Sequence, residues 1–424
     1  MEKTASYKYL KIFPPAILLS ALFFVVFSAV FFMPQKCFAA ASPSSSKIMD
    51  QMTLEEKIGQ MFLVCYDGSY DPAEEASLHH LGGYVFFADY FEGRNREDVI
   101  SGIKKIRNKT TLPLITAVDE EGGSVIRVSG YPALHETPFP SPAQVMARGG
   151  IFAAKDDASK KADMLLDLGI NTNLAPVCDV AQSKKDYIYE RTTGEDPAKA
   201  TAYAVSVIIA SKEKKLGTCL KHFPGYGGSS DTHLGMAADN RPYRAFATSD
   251  FMPFFFGIKA GADSVMVSHN IVKSMDPGLP ASLSKKVHDI LRKDFGFDKV
   301  IITDDISMGA IEDLFDEKVP ADETNPAGET DPAGEMDPAD ETNPADETNP
   351  ADETDPADET DPAGEMDPAV MAVKAGNDLI CTRDFRKQIP AVMDAVKKGI
   401  ISEKQINRSV KRIIDWKISL GLIK

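Results

Sequence analysis

The sequence predicts an α/β fold of the (β/α)₈ barrel class, and three features of the chain favour it. Eight short apolar runs alternate with amphipathic, helix-like stretches along the 424 residues. Most of these runs are continuous rather than alternating, which is typical of parallel strands buried on both faces. Ionisable residues follow most of the runs, as they do where the carboxyl ends of barrel strands form a functional rim. A doubly wound open sheet is the alternative architecture.

The elements are predicted in order from the amino-terminal side of the barrel. A capping-box pattern, Thr53-Leu54-Glu55-Glu56, begins the first helix. The eight strands are expected at residues 59–65, 83–87, 113–118, 171–177, 217–223, 264–268, 299–303 and 378–382. The longer helices are expected at residues 96–109, 152–168, 197–215, 249–260, 283–293, 371–375, 387–398 and 403–420. Together they predict a TIM-type barrel that forms a single domain.

An acidic repeat interrupts the last part of this pattern. Residues 320–367 consist of eight copies of the unit P-A-[DG]-E-[TM]-[ND] and contain 18 of the 63 Asp and Glu residues. A proline at every sixth position prevents a regular helix, and the apolar content is too low for a core. We therefore expect a disordered insertion between the first part of the barrel, residues 53–319, and its last part, residues 368–424. It is either a tandem expansion in a surface loop or an acidic arm that binds cations or basic surfaces.

The net charge of −16 belongs to that insertion. Outside the repeat, the Lys and Arg residues outnumber the Asp and Glu residues by two. The remaining chain is therefore nearly neutral, and its composition does not favour a nucleic-acid partner.

The amino terminus has the pattern of a targeting segment. Lys3, Lys8 and Lys11 precede an apolar run from Ala16 to Met33, and small residues follow at 39–41. Residues 1–41 are therefore expected to be a secretory signal peptide, with an uncleaved signal anchor as the alternative, followed by a linker over residues 42–52. Either interpretation makes the rest of the chain secreted or periplasmic, free or anchored to the inner membrane.

Cysteine usage does not point to a metal site or to a disulfide framework. Four of the five cysteines follow the targeting segment, namely Cys65, Cys178, Cys219 and Cys381. Each lies in an apolar, strand-like run, which indicates buried free thiols. No Cys-x-x-Cys or paired Cys/His spacing occurs, so the cysteines do not suggest a zinc site.

The residues that follow the predicted strands are the candidates for chemistry. In chain order they are Asp119 with Glu120, Asp179, Lys221 with His222, His269, Asp304 with Asp305, and Arg383. Any one of them is explained as the polar start of a loop. Their number favours a shared site, because the carboxyl ends of all barrel strands meet on one rim.

The stretch KHFPGYGGSSDTH, residues 221–233, joins a strand end to a loop rich in glycine and serine. Asp231 and His233 stand two residues apart at the end of that loop. An imidazole beside a carboxylate suits general acid/base catalysis near neutral pH. A solvated turn explains the same pattern, so the residues alone leave both interpretations open.

Nine motifs in a fixed order cover most of the chain from residue 53 to residue 383. They are LEEKIGQMFLV, AVDEEGGSVIRV, LAPVCDV, ERTTGEDP, KHFPGYGGSSDTH, DFMPFFFGIKAGADSVMVSH, PASLS, GFDKVIITDDISMGAI and KAGNDLI. Their order and spacing resemble glycoside hydrolase family 3, and specifically its single-domain β-N-acetylhexosaminidases. The resemblance implies a single catalytic (β/α)₈ domain and a carbohydrate substrate.

The activity implied by the resemblance is that of a retaining exo-β-N-acetylglucosaminidase. Such an enzyme removes terminal β-linked GlcNAc from peptidoglycan fragments or chitooligosaccharides through a covalent intermediate. The resemblance assigns Asp304 as the nucleophile with Asp305 beside it, and His233 as the acid/base oriented by Asp231. It implies a monomer that uses no metal or cofactor.

Substrate-binding roles carry over to the residues that match the motifs. These are Asp119, Arg127, Arg191, Lys221, His222 and His269. Asp119 is expected to accept hydrogen bonds from ring hydroxyls, and Arg127 to pair with Asp119 or with the sugar. Two features depart from the family pattern: Tyr226 stands where a second histidine is usual, and the loop before Asp231 is one residue shorter. The shorter loop bears on how His233 reaches the leaving group.

Three other functions are compatible with parts of the sequence. A β-glucosidase of the same family is disfavoured by the Asp-x-His loop, because those enzymes typically take a glutamic acid from an additional domain. Lys221 at a strand end could form a Schiff base, as in class I aldolases. A sugar-binding relative that has lost turnover is the alternative that involves no catalysis.

Overall fold

The computed structural model describes residues 44–229, 232, 235, 237–316 and 367–424. The targeting segment, which includes Cys37, lies outside the described residues. So do Asp231, His233 and residues 317–366. The expectations for these parts of the chain therefore stay predictions.

Eight parallel strands form a barrel. They are β1 (Phe62–Tyr66), β2 (Gly83–Phe86), β3 (Ile115–Val118), β4 (Thr172–Asn173), β5 (Gly217–Phe223), β6 (Ser264–Val267), β7 (Val300–Thr303) and β8 (Ile380–Thr382). The paired order is β8-β1-β2-β3-β4-β5-β6-β7. A parallel bridge between Ile302 and Leu379 joins β7 to the chain that enters β8 and closes the barrel. The (β/α)₈ TIM-type fold expected from the sequence is confirmed.

The strands are short, and nearly all of their residues are buried. Tyr66 at the end of β1 is the one strand residue of this barrel, within the described chain, that is only half-buried. Helices cover the outer face, and side chains fill the interior. Burial on both faces explains why the strands read as continuous apolar runs.

Helices follow most of the strands and surround the barrel. In chain order they are Ser45–Met49, Leu54–Gln60, Pro72–Leu78, Ala88–Phe91, Arg96–Lys109, Pro142–Asp167, Pro197–Lys214, Tyr243–Thr248, Phe251–Ala260, Lys285–Asp289, Gly309–Asp316, Pro368–Ala375, Phe385–Lys397 and Glu403–Ser419. A π-helical turn, Ile290–Asp294, continues the tenth of them. The short strands Ala238–Asp239 and Ile271–Val272 pair outside the barrel.

The capping box at Thr53 is confirmed. The Glu56 N–H donates to the Thr53 hydroxyl at 3.2 Å, and the Thr53 N–H donates to the Glu56 carboxylate at 2.7 Å. The helix that it begins runs through Gln60, so β1 starts at Phe62 and not at the expected residue 59.

The fourth strand is also shorter than the expected 171–177, because Pro176 has no N–H to donate to a ladder. The chain nevertheless continues alongside β5. The carbonyls of Ala175 and Pro176 accept hydrogen bonds from the N–H groups of Cys219 and Lys221, at 3.0 and 3.2 Å. The segment therefore delivers Asp179 to the rim next to the end of β5.

Aromatic packing fixes the end of β5, where the candidate site begins. Phe223 is fully buried, and its ring centroid lies 5.7 Å from that of Phe251, 5.2 Å from Phe254 and 5.8 Å from Phe295. Edge-to-face and stacked aromatic pairs of this kind contribute about 0.5–1.5 kcal/mol each beyond their buried area. The two residues before Phe223, Lys221 and His222, are thus held on a rigid base.

The segment 42–52, expected to be a linker, contains the short helix Ser45–Met49, with Met49 buried in the main core. Among the described residues, no helix has both the length and the apolar character needed to cross a bilayer. The four cysteines that follow the targeting segment are buried free thiols, as expected. Burial raises the pKa of the Cys219 thiol to about 12.

Candidate active site

The carboxyl ends of β3 and β5 bring together a paired set of charges. The Lys221 ammonium lies 2.5 Å from a carboxylate oxygen of Asp119 and 2.6 Å from one of Glu121. The second cation is Arg191, which donates two hydrogen bonds to the Glu121 carboxylate, at 3.0 and 2.8 Å. Two carboxylates therefore balance two cations at this part of the rim.

Electrostatics keep these groups ionised despite their burial. Burial alone would raise the pKa of Glu121, but Arg191 and Lys221 hold it well below its usual range. Burial likewise disfavours the charge on Lys221, yet Asp119 and Glu121 raise the pKa of its ammonium above the ordinary value. Glu121 and Lys221 are therefore both charged near neutral pH.

The loop after β3 is built to present Asp119 and Glu121. Between them, Glu120 is fully buried and turns inward, where its carboxylate accepts the N–H groups of Arg127 and Val128 at 2.9 and 2.7 Å. The next residue, Gly122, has φ +101°, and a Cβ there would lie 2.2 Å from the carbonyl oxygen of Pro140. Only glycine fits this close approach.

His222 is oriented by two partners and is buried. Its Nδ1 lies 2.7 Å from a carboxylate oxygen of Asp179, and its Nε2 lies 3.2 Å from Nη2 of Arg191. A guanidinium only donates, so Nε2 accepts and the proton sits on Nδ1, where Asp179 accepts it. Asp179 and Arg191 thereby fix the ring orientation and the tautomer of His222.

Tyr226, the residue that departs from the family pattern, is nearly fully buried beneath the loop that follows β5. Its N–H donates to Asp179 at 2.8 Å, and its ring meets the His222 ring edge-on at 5.1 Å. Its hydroxyl is hydrogen-bonded to the hydroxyl of Thr232. Burial, and next the nearby charge of Asp304, raise the pKa of the Tyr226 phenol well above its ordinary value. This places Tyr226 between the ends of β5 and β7.

Thr232 links the loop after β5 to the helix that follows β7. The residue is fully buried, and its carbonyl accepts the N–H of Ala310 at 3.2 Å. Ala310 lies in the helix that follows β7. In the chain, Thr232 stands between Asp231 and His233. Its bond to Ala310 therefore attaches the described part of this loop to the helix that follows Asp304.

Asp304 stands directly after β7 and is half-buried. Its backbone N–H donates to the carbonyl of Val267 at 3.0 Å, and its carboxylate accepts the N–H of Asp305 at 2.9 Å. His269 supports the same turn, since its Nε2 donates to the Asp305 carbonyl at 2.9 Å while its Nδ1 lies 2.7 Å from the Ser282 hydroxyl. The carboxylate of Asp304 is thus presented at the rim on a braced turn.

Arg127 and Arg383 lie on the other side of the rim, around the ring of Phe87. The guanidinium carbons are 5.9 and 5.3 Å from the ring centroid. The Arg383 side chain is also 3.4 Å from a carboxylate oxygen of Asp305. Asp119, which the sequence offered as a partner for Arg127, forms its ion pair with Lys221 instead.

The predicted site residues therefore divide into two groups. Asp304, Asp119, Arg127 and Arg191 are partly exposed, so they can touch a bound ligand. Lys221, His222 and His269 are at most 4% exposed, and in this state they hold other residues in position. Asp231 and His233 lie outside the described residues.

Glu121 and Asp179 are the residues that sequence reasoning did not assign to the site. Asp119, Glu120 and Glu121 are consecutive, and the sequence does not show which carboxylates face the rim. Asp179 was recognised as a rim residue, but its partner His222 lies 43 positions away and is brought near only by the barrel. Asp179 follows the end of a predicted strand, and this position was the feature of the sequence that indicated a place on the rim.

A cavity of about 190 Å³ lies at the amino-terminal end of the strands, lined by residues such as Gln60, His80 and Leu112. It is remote from the charged rim, and catalytic groups of these barrels sit at the carboxyl ends. Among the residues that the structure describes, no cluster of three His, Cys, Asp or Glu side chains is arranged to hold a metal ion.

Comparison with known proteins connects these residues to a family. The profile described as Glycosyl hydrolase family 3 N terminal domain matches residues 53–329. The chain is 33% identical over 258 residues to a Beta-hexosaminidase from Xanthomonas campestris pv. campestris, which covers 59% of this chain and 76% of that protein. A Beta-hexosaminidase from Xylella fastidiosa is 33% identical over 237 residues, covering 54% and 69% respectively.

Solved structures share the fold. A glycoside hydrolase family 3 beta-N-acetylglucosaminidase from Paenibacillus sp. str. FPU-7 superposes with a TM-score of 0.70 at 25% identity over 88% of this chain. The chain spans 63% of the length of that protein. M tuberculosis LpqI superposes with a TM-score of 0.70 at 23% identity over 89% of this chain and 97% of that one, and it supports the fold alone.

Proposed function

Because the chain belongs to glycosyl hydrolase family 3, we propose that it is a retaining exo-β-N-acetylglucosaminidase. Family membership and the relatives named above make it a glycoside hydrolase of the β-N-acetylhexosaminidase type. The finer proposal is that it removes terminal β-linked GlcNAc from peptidoglycan fragments or chitooligosaccharides. Asp304 acts as the nucleophile, and His233 with Asp231 acts as the acid/base pair.

One observation carries the proposal. Asp304 is presented, half-buried, at the end of β7, on the same rim where the carboxylates Asp119 and Glu121 are already neutralised by Lys221 and Arg191. A nucleophile must be an ionised carboxylate that is accessible to the anomeric carbon. Cations and carboxylates on the same rim suit a neutral, hydroxyl-rich ligand, because they offer charge-assisted donors and acceptors to ring hydroxyls.

The proposed reaction has two steps. In the first, the Asp304 carboxylate attacks the anomeric carbon while His233 gives a proton to the glycosidic oxygen, so the leaving alcohol departs neutral. In the second, His233 takes a proton from a water molecule whose oxygen attacks the same carbon, and Asp304 leaves as a carboxylate. Two displacements at one carbon retain its configuration.

The remaining rim residues position the sugar. Asp119 accepts hydrogen bonds from ring hydroxyls, and Lys221 holds the Asp119 carboxylate in place. Arg191 and Arg127 donate to the sugar from either side of the rim. His222 and His269 act through the groups they hold, Arg191 and the Asp305 turn.

An exported location fits the proposed substrates. Residues 1–41, a predicted signal peptide or signal anchor, would deliver the barrel to the periplasm or the cell exterior. Peptidoglycan fragments and chitooligosaccharides occur there. Immunoblotting of cell fractions with and without residues 1–41 tests this part of the proposal.

Schiff-base chemistry at Lys221 is disfavoured by its surroundings. An amine nucleophile must lose its proton, which requires a lowered pKa. Lys221 instead has two carboxylates within 2.6 Å, and they raise its pKa. We therefore do not propose a class I aldolase.

Parallel turnover of nitrophenyl β-GlcNAc and nitrophenyl β-glucoside by the purified protein tests the proposal. We expect at least a tenfold preference in kcat/KM for the GlcNAc substrate, and no turnover of either substrate by the Asp304→Ala variant. A preference for the glucoside would favour a β-glucosidase. Tight binding of GlcNAc without turnover would favour a sugar-binding relative.

A further inference from the structure

Tyr187 is a large aromatic residue on the rim that the proposed reaction leaves without a role. It lies in the loop between β4 and the helix Pro197–Lys214, four positions before Arg191. Its side chain is 38% exposed. The hydroxyl accepts a hydrogen bond from Nη1 of Arg191 at 3.4 Å, so Tyr187 borders the network that holds Glu121 and His222.

The loop around Tyr187 is held from both sides. Before it, the Asp186 carboxylate accepts the backbone N–H groups of Gln182 and Ser183 at 2.6 and 2.8 Å. After it, Ile188 is fully buried and packs in a small apolar cluster with Tyr226. An exposed ring on a backbone that is already ordered loses little conformational freedom when a ligand packs against it.

Tyr187 also lies beside the loop that carries the proposed acid/base pair. Its ring centroid is 6.1 Å from that of Tyr226, whose hydroxyl is bonded to Thr232. Two residues after Tyr226, a Cβ placed on Gly228 would lie 3.7 Å from the Asp186 carboxylate, so the two loops are in contact. The general acid protonates the oxygen of the leaving group, so this part of the rim is the leaving-group side of the bond.

We propose that Tyr187 is the platform on which the ring of the leaving sugar packs. A pyranose ring has an apolar C–H face, and an aromatic side chain with one polar tip can cover such a face while its hydroxyl stays anchored. The Tyr187 ring would then promote cleavage of a β-linked GlcNAc whose leaving group is a second pyranose and would not affect cleavage of one with a small leaving group. This inference rests on the proposed glycosidase function and identifies a specificity residue within it.

A structural role gives the competing explanation: Tyr187 could serve only to hold Arg191 through its hydroxyl. The two roles need different parts of the side chain. Packing of a sugar requires the ring, whereas support of Arg191 requires the oxygen. Tyr187→Ala removes both, and Tyr187→Phe removes the oxygen alone.

The experiment compares chitobiose with GlcNAc β-fluoride as substrates. The two present the same GlcNAc, but the fluoride has no second ring to pack on Tyr187. Wild type, Tyr187→Ala, Tyr187→Phe and the control Tyr243→Ala are assayed for kcat/KM, and thermal unfolding of each confirms folding. Tyr243 is a matched control because it is also a tyrosine with 38% exposure, and it packs on Phe251 in a different helix.

We expect Tyr187→Ala to lower kcat/KM for chitobiose about tenfold, the size of one lost aromatic contact, with kcat/KM for the fluoride unchanged within about twofold. Tyr187→Phe and Tyr243→Ala should match wild type on both substrates. Equal losses on both substrates, no loss on either, or a Phe variant that behaves like the Ala variant would each overturn the platform role. A wild-type protein that cleaves neither substrate would instead refute the proposed function.

Discussion

At the scale of single residues, the site is a set of charges that neutralise one another. Lys221 and Arg191 share the buried Glu121, and Lys221 also holds Asp119. Removing one partner from such a buried set leaves the others without compensation, which costs more than the intact set contributes. In the sequence, the order of the motifs was enough to identify Asp119, Lys221 and Arg191 as residues of the site. The central role of Glu121 could not be identified, because it depends on the path of a loop.

Replacing Glu121 by glutamine should therefore destabilise the protein strongly. The variant keeps the shape of the side chain but removes the charge that Lys221 and Arg191 share, at an expected cost of about 3–5 kcal/mol in the free energy of unfolding. Denaturant unfolding at pH 7 measures it. Glu190→Gln is the matched control, since Glu190 is exposed and adjacent to Arg191, and its variant should unfold like wild type.

The stabilisation by Glu121 should also depend on pH in a defined direction. Its folded-state pKa lies below the ordinary value of 4.5, so the stabilisation is present above that value and is lost as pH falls through the acid range. The difference in unfolding free energy between wild type and Glu121→Gln should narrow below about pH 4.5. A difference that widens as the pH falls would contradict the assigned cause.

His233 lies outside the described residues, and its role is testable by leaving-group dependence. The His233→Ala variant should retain more activity on substrates whose leaving groups depart without protonation, such as dinitrophenyl β-GlcNAc, than on chitobiose. Roughly 10²–10⁴-fold of kcat/KM should be lost on chitobiose and much less on the activated substrate. Equal loss on both would refute the acid role.

At the scale of elements, the structure depends on contacts between the loops that follow β4, β5 and β7. The Tyr226 N–H donates a hydrogen bond to the Asp179 carboxylate in the first loop. The Tyr226 hydroxyl is hydrogen-bonded to the Thr232 hydroxyl in the second. Thr232 in turn is bonded to Ala310 in the helix after β7. The sequence showed Tyr226 only as a departure from a family pattern, because these partners are distant in the chain.

Tyr226→Phe should impair cleavage of a substrate whose leaving group needs protonation more than cleavage of a substrate whose leaving group departs without it. Losing the bond to Thr232 frees the loop that carries His233, and one lost hydrogen bond corresponds to about 1 kcal/mol, or about fivefold. We expect a fall of about fivefold in kcat/KM for chitobiose and none for dinitrophenyl β-GlcNAc.

Tyr131→Phe is the control for this prediction. It also removes one tyrosine hydroxyl bond, 2.8 Å to the carbonyl of Ala88, but in a different loop of the barrel. The Tyr131→Phe variant should have the wild-type kcat/KM for both substrates. Equal effects of Tyr226→Phe on both substrates would indicate that Tyr226 does not act through the loop.

At the scale of the whole molecule, alternation of apolar runs and helices predicted a parallel α/β fold, and the polar residues after the runs favoured a barrel over a doubly wound open sheet. All eight strands lie within or next to their expected ranges, because a strand buried on both faces leaves a continuous apolar signal. Strand ends were less predictable: β1 is delayed by a capped helix, and β4 is cut short before Pro176. The first error arises because the capped helix occupies the residues before Phe62, and the second because a proline has no N–H to donate to the ladder.

One prediction concerns the contact between the last helix, Glu403–Ser419, and the helix Leu54–Gln60. Lys417 on this helix is fully buried, and its ammonium donates to the Gln60 side-chain oxygen at 2.6 Å. Burial lowers the pKa of Lys417 to about 7. Between pH 7 and 10 the unfolded chain binds more protons at this residue than the folded one, so stability rises with pH.

The variant Lys417→Met removes this dependence. The free energy of unfolding of wild type relative to Lys417→Met should rise from pH 7 to pH 10, by up to about 4 kcal/mol. Lys411→Met serves as the control, since Lys411 is exposed on the same helix and pairs with Asp415. Its difference from wild type should not change with pH. A flat profile for Lys417→Met would show that the amine stays charged in the folded protein.

The central claim is that Asp304 forms the covalent bond to GlcNAc, and mass spectrometry of a trapped intermediate tests it most directly. A 5-fluoro derivative of GlcNAc with a good leaving group slows the second step, so the sugar accumulates on the nucleophile. Digestion with trypsin should place the adduct on the peptide that runs from Val300 to Lys318, and fragmentation should place it on Asp304 and not on Asp305. An adduct on any other residue, or full turnover of GlcNAc substrates by Asp304→Ala, would contradict the account.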